Sequence, residues 1–167
     1  GLGIPAEPLF RSSIVDLGLS VVWADHNLGT EKPEGDGQYF AWGETGSDNS
    51  YYWTDYKFYN ESDTSITKYY NKNFEWWGNG VIDNKCILEP EDDAAQVLWG
   101  KGWRMPTRTE LEELVKYCTW TVVTKNGVEG YEVTSNITGF TDQSIFLASA
   151  GYMINTLDRS RSVYWSN

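Results

Sequence analysis

The 167-residue chain carries 13 basic and 24 acidic side chains, a formal charge of −11, and its nine Trp, eleven Tyr and six Phe make Tyr as common as Leu. That length predicts one domain, with a core large enough to need no metal or disulfide staple. The acidic balance excludes nucleic acid or an anionic membrane as the main partner, and no apolar run reaches the ~18 residues of a membrane span.

Residues 1–13 are Pro-containing and aperiodic, and read as an N-terminal arm ahead of a domain over 14–167. The chain opens on Gly1 rather than Met, in keeping with a removed leader. Val15, Leu17, Leu19, Val21 and Trp23 alternate with Asp16, Gly18, Ser20 and Val22, which predicts a half-buried strand. Residues 25–37 are turn material, and Tyr39–Trp42 predicts a second, short strand. Residues 43–84 form a long polar and aromatic region. A stretch of that length in a compact domain is functional or carries short elements of its own.

Pro90 predicts the first position of a helix, with Glu91, Asp92 and Asp93 filling the first turn where carboxylates suit the dipole. Ala94, Ala95, Val97 and Leu98 supply its buried face, and Gly100 and Gly102 end it. Thr107 and Glu110 have capping-box spacing for a second helix. Its apolar stripe is Leu111, Leu114, Val115 and Cys118, and Glu112 is placed to pair with Lys116. Asn126-Gly127 predicts a two-residue hairpin turn, whose register sets Lys125 opposite Val128, Val122 opposite Tyr131 and Trp120 opposite Val133. Ile145–Ala148 reads as a strand covered on both faces, Tyr152–Val163 as a loop, and Tyr164-Trp165 as the start of another strand. Two helices beside several antiparallel strands make an α+β fold.

Residues that carry chemistry are sparse. Cys86 and Cys118 lack the spacing of a zinc site, and spacing alone does not establish a bond between them. His26 is the sole histidine, and reads as a loop residue without chemistry rather than the centre of a triad or metal site. The clusters Tyr51-Tyr52-Trp53, Tyr56, Phe58-Tyr59, Tyr69-Tyr70 and Trp76-Trp77 would suit a binding surface, but read first as anchors for the long irregular region. The Gly35-Asp36-Gly37 and Ser47-Asp48-Asn49 loops show no metal-ligand spacing.

The segment Trp103-Arg-Met-Pro-Thr-Arg-Thr-Glu-Leu-Glu-Glu-Leu114 resembles the Arg-Leu-Pro-Thr-x-x-Glu-[Leu/Trp]-Glu signature of C-type-lectin-like domains in bacterial surface proteins and the sulfatase-modifying-factor superfamily. Val15-Asp-Leu-Gly-Leu-Ser-Val-Val-Trp-Ala24, Asn27-Leu-Gly29, Tyr39-Phe-Ala-Trp-Gly-Glu-Thr45, Glu91-Asp-Asp-Ala-Ala95, Ser149-Ala-Gly-Tyr152 and Tyr164-Trp-Ser166 follow the expected order. They resemble the paralogous lectin-like domains of Bacteroidetes-type bacteria. The chain is similar also to the variable proteins of diversity-generating retroelements.

The resemblance implies a C-type-lectin-like fold, two helices packed on a twisted, mainly antiparallel sheet, with a loop-rich binding face. It implies a non-enzymatic, extracellular domain of a bacterial surface protein whose ligand is a protein or glycan. Family members continue well past the Tyr-Trp-Ser, whereas this sequence stops at Asn167, so a sheet short of its last strands is expected. An open C-terminal edge would then be completed by strand exchange between copies or by another chain.

Within this frame the loop 152–163 lies where the family builds its binding face. Tyr152, Asn155, Asp158, Arg159 and Arg161 offer a ring, an amide and both charges there, and are the candidate ligand-binding residues. Trp103, Arg104, Pro106, Thr107 and Glu110 read as structural: a core anchor, a guanidinium for a buried acceptor, and a capped helix entry. Glu89-Pro90-Glu91 looks like the calcium-and-sugar motif of some C-type lectins, but it opens a helix instead of lying in the loop after the second one. Its ligand spacing does not support calcium, and no other cofactor is expected. The reactive cysteine pair of formylglycine-generating relatives has no counterpart in Cys86 and Cys118. An adhesin or pilus-associated assembly module is the alternative reading, and a hydrolase built on a carboxylate pair the remaining one.

Overall fold

The computed structural model describes residues 13–47, 51–61, 65–71, 80, 82–153, 156–160 and 162–167. The arm before Ser13, together with Asp48, Asn49, Trp76, Trp77, Asn155 and Arg161, lies outside the described residues. The elements run β1 (Ile14–Val15), β2 (Trp23–Ala24), a short 3-10 turn (Trp53–Asp55), β3 (Tyr59–Asn60), β4 (Ser65–Ile66), α1 (Ala94–Trp99) and α2 (Arg108–Tyr117). Then come β5 (Cys118–Lys125), β6 (Val128–Ser135), β7 (Ser144–Ala148), β8 (Tyr152–Met153) and β9 (Leu157–Asp158). Every pairing is antiparallel: β1 with β2, β3 with β4, β8 with β9, and a three-stranded sheet in the order β5-β6-β7. Helices and antiparallel sheets together make the fold α+β.

The three-stranded sheet is organised by its turn. Asn126 and Gly127 take φ of 47° and 84°, the left-handed pair that a tight hairpin demands. The register is the expected one, with Lys125 opposite Val128, Val122 opposite Tyr131 and Trp120 opposite Val133. On its other side β6 pairs with β7, and Ile145, Phe146 and Ala148 are buried.

Helix α2 forms as its first residues dictate. The Thr107 hydroxyl accepts from the Glu110 N–H while the Glu110 carboxylate accepts from the Thr107 N–H, a complete capping box. Its Leu114 packs with Leu17, Cys118, Val133 and Ile145 in the first core cluster. Leu17, Leu114 and Val133 are each at most 1% exposed, and full burial contributes roughly 1.5–3 kcal/mol per such side chain. A second cluster of Phe58, Ile66, Tyr69, Tyr70 and Leu88 holds the long region down, so most of its described rings do serve as anchors.

Several expectations need correction. The run from Val15 to Trp23 is not one strand but two short strands facing each other, with Val15 opposite Trp23. Gly18, at φ 71° and with its N–H donated to the Asp16 carboxylate at 2.8 Å, turns the chain between them. A Cβ there would also lie 2.5 Å from the Phe140 ring. Tyr39–Trp42 and Tyr164-Trp165 form no strand: the carbonyls of Tyr39, Phe40 and Trp42 take aromatic donors instead, and Tyr164 and Trp165 spend their side chains on the Ala148 and Phe40 carbonyls. The 152–163 segment is not only loop, since β8 and β9 form a small hairpin within it.

Helix α1 begins later than expected. Asp93 is its cap, accepting from the N–H groups of Ala95 and Gln96, while Glu91 and Asp92 precede the helix. With only six residues it buries Ala94 alone, leaving Val97 and Leu98 exposed. On α2, Val115 is 69% exposed, so the buried stripe is narrower than predicted. Glu112 pairs with Arg108 at 2.8 Å rather than with Lys116. Both cysteines are free thiols, Cys86 exposed and Cys118 buried. No helix among the described residues is long and apolar enough to cross a membrane.

Candidate functional site

The elements enclose a cavity of about 940 Å³. One wall is β2 with His26, and another is formed by α1, Trp103 and the Leu111–Val115 side of α2. The sheet contributes Trp120, Tyr131 and the β7 residues Ile145 to Leu147, and Val163 to Trp165 close the remaining side. Large apolar side chains that would otherwise be unexplained surface face this space: Val22, Val115, Trp120, Tyr131, Val163 and Trp165 are all exposed and all line it. Such concave apolar surfaces with a few placed polar groups are what ligand sites are made of.

Rings give the cavity its stiffness. Trp99 meets Trp103 edge-on at 5.2 Å and His26 at 5.6 Å, and Trp120 meets Tyr131 at 5.7 Å. The charged groups that line it are committed to partners. Arg104 reaches both oxygens of Glu110, at 2.8 and 2.5 Å, and this ion pair holds the Glu110 carboxyl down at about 2. Asp36 takes both terminal nitrogens of Arg159, one at 3.1 Å.

Two polar atoms are different. Trp23 Nε1 and His26 Nε2 are buried without a hydrogen-bond partner among the described residues. The His26 side chain is 6% exposed, and its Nδ1 lies 2.5 Å from the Asp25 carboxylate. That contact orients the ring and leaves Nε2 facing away from Asp25. A buried unpaired polar group costs about 1–3 kcal/mol, so the arrangement is one that a ligand would relieve.

Of the predicted binding residues, Tyr152, Asp158 and Arg159 are described, and Asn155 and Arg161 lie outside the described residues. Tyr152 lines the cavity and donates to the Asp158 carboxylate at 2.8 Å across the β8–β9 hairpin. Arg159 is bound to Asp36 and to the Ser149 carbonyl. Of the structural set, Arg104 and Glu110 form an ion pair, Thr107 caps α2, and Pro106 offers its carbonyl to the Asn167 N–H at 2.8 Å. Trp103 is half-buried in the cavity wall.

Sequence reasoning passed over Trp23, His26, Trp99, Val115, Trp120 and Tyr131 as a site. One signal was present: the hairpin register put Trp120, Val122 and Tyr131 on one face with nothing assigned to cover it.

Away from the cavity, carboxylate oxygens of Glu89, Glu91 and Asp92 converge within 4.8 Å. The Lys68 ammonium already sits among them, 2.5 Å from Glu89, 2.5 Å from Asp92 and 3.9 Å from Glu91. Asp92 also accepts from Lys57 at 2.6 Å and from the Tyr69 hydroxyl at 2.7 Å. Burial pushes its carboxyl up, but these donors outweigh burial and hold it at about 2. The cluster, buried only at Asp92, ties the long region to the segment ahead of α1.

No family model matches the chain, and no curated protein and no solved structure matches it.

Proposed function

We propose that the chain is a non-enzymatic, extracellular ligand-binding domain of a bacterial surface protein, with a C-type-lectin-like fold and a protein or glycan as ligand. The observation that carries the binding reading is the ring-walled cavity of about 940 Å³, whose charged pairs are internal and whose Trp23 Nε1 and His26 Nε2 have no partner among the described residues. The fold assignment is supported by the ordered motifs, of which the Trp103–Leu114 segment supplies a capped helix start and its ion pair. Tyr152, which lines the cavity, and Asp158, bonded to it, would belong to the rim with Arg159, which is held by Asp36 of the lining; Asn155 and Arg161 stay candidates on sequence alone.

The test is retention of the chain on a glycan array and on immobilised extracellular glycoproteins, each with and without calcium. Specific retention that is lost when the five candidate residues are replaced together with Ala supports the reading. Retention unchanged by that replacement moves the site elsewhere. Turnover of a glycan that disappears on changing one Asp or Glu supports the hydrolase instead.

A second reading, an adhesin or pilus-type assembly module, is favoured by β7, which has a ladder partner on one side only among the described residues. It predicts association through that C-terminal sheet edge. A strictly monomeric species by light scattering contradicts it.

A further inference from the structure

We infer that the ligand of the cavity is an extended, uncharged segment of another polypeptide, laid down as a strand. This rests on the reading that the chain is a binding domain and names the ligand's class. Side chains of a strand alternate between faces, yet the consecutive residues Ile145, Phe146 and Leu147 all line the cavity. The cavity therefore reaches the edge of β7 as well as one of its faces. The same holds for β2, where Trp23 and Ala24 both line it.

Backbone geometry sharpens this. The Ser149 N–H donates to the Glu129 carbonyl and the Ser135 N–H to the Gln143 carbonyl. Ladder bonds alternate along an antiparallel pair, so Ile145 and Leu147 bond to β6 while the N–H and C=O of Phe146 point to the open edge. The Asp25 N–H donates to the Ser13 carbonyl, and by the same alternation the backbone groups of Ala24 point away from β1. Phe146 and Ala24 thus each offer one donor and one acceptor without a ladder partner. Trp23 Nε1 adds a donor and His26 Nε2 a second polar atom, both buried and both unpaired among the described residues.

A polypeptide backbone, with N–H and C=O groups recurring along its length, answers this set; a small apolar molecule leaves most of it unmet. Charge sets the rest. Asp36 and Arg159 neutralise each other, as do Arg104 and Glu110, so the walls present no free charge and the inserted residues should carry none. Outside the cavity the −11 chain favours basic residues flanking the insert. A strand of five or six residues spans roughly 17–20 Å.

The probe is acetyl-Lys-Thr-Val-Thr-Val-Thr-Lys-amide, titrated into the whole chain and followed by indole emission, since Trp23, Trp99, Trp103, Trp120 and Trp165 line the cavity. Its twin carries N-methyl groups on alternate residues, which keep the apolar surface and remove strand hydrogen bonds. Saturable binding, weakened at least tenfold by N-methylation, is expected. Trp23→Phe, which keeps a ring, should weaken binding roughly two- to tenfold, the worth of one net hydrogen bond. Should that variant unfold, amide exchange in the unaltered chain decides, with the Phe146 N–H slowed by the peptide. Equal binding of both peptides, or an unprotected Phe146 amide, overturns the strand mode. Retention on glycans with no peptide binding overturns this inference while sparing the binding-domain reading; failure of every ligand overturns both.

Discussion

The indole N–H of Trp165 donates to the Phe40 carbonyl at 2.8 Å, tying two segments 125 residues apart. It is one of a set. The Tyr51 hydroxyl serves the Tyr39 carbonyl, and the Tyr56 hydroxyl the Trp42 carbonyl at 3.0 Å. In return Tyr39 reaches the Ala150 carbonyl at 2.7 Å and Trp42 the Ser166 carbonyl at 3.0 Å. Buried backbone carbonyls need donors, and here aromatic handles replace a β-ladder. The aromatic richness of the chain is in large part this device.

Removing one handle should therefore cost stability without opening a cavity. Tyr56→Phe leaves the ring in contact with Phe58 and Trp53 but strips the Trp42 carbonyl of its donor. A loss of about 1 kcal/mol in urea unfolding is expected. Burial also raises the Tyr56 hydroxyl pKa, so its ultraviolet titration should lie above the roughly 10 of an ordinary tyrosine.

Acid should unfold the chain through its depressed carboxyls. Asp92 and Glu110 stand at about 2 in the folded state, below the roughly 4 of an unfolded carboxyl. Their stabilisation is complete above pH roughly 4 and is lost as pH falls toward their folded values. Asp92→Asn should lower stability at neutral pH and flatten the acid limb of a stability–pH curve. An unaltered limb would remove Asp92 from the account.

The two neighbours on α2 should part company. Leu114, 1% exposed, lies in the core, and Leu114→Ala should cost about 2–5 kcal/mol. Val115 is 69% exposed and lines the cavity, so Val115→Ala should change stability by under about 0.5 kcal/mol. Denaturant melts of both variants check this.

Cysteine reactivity gives an independent measure of the core. Cys86 is exposed and free, whereas Cys118 is buried and its thiol pKa is raised by that burial. Alkylation of the native chain should label Cys86 alone at first, with Cys118 following only on unfolding.

What the sequence made legible was local. The capping box of α2 and the Asn126-Gly127 hairpin are decided within a few residues, and both stand where their signals put them. The Val15–Trp23 alternation misled because Gly18 breaks it with a turn that periodicity does not register. The short segments at 39–42 and 164–165 look like strands in composition, but ring donors from other segments, Trp165 among them, take the 39–42 carbonyls in place of a ladder. The cavity was the least legible feature. Its walls come from residues as far apart as Trp23, Trp103, Tyr131 and Trp165, and nothing local to any of them marks the shared space.

The most direct test of the central claim is the Trp23 indole N–H, observed by nitrogen-edited magnetic resonance with the strand peptide added to the labelled chain. Occupation of the cavity by a backbone carbonyl should shift this resonance downfield and slow its exchange with water, while the exposed Trp53 indole stays unchanged. Binding that leaves the Trp23 indole where it was would contradict the account.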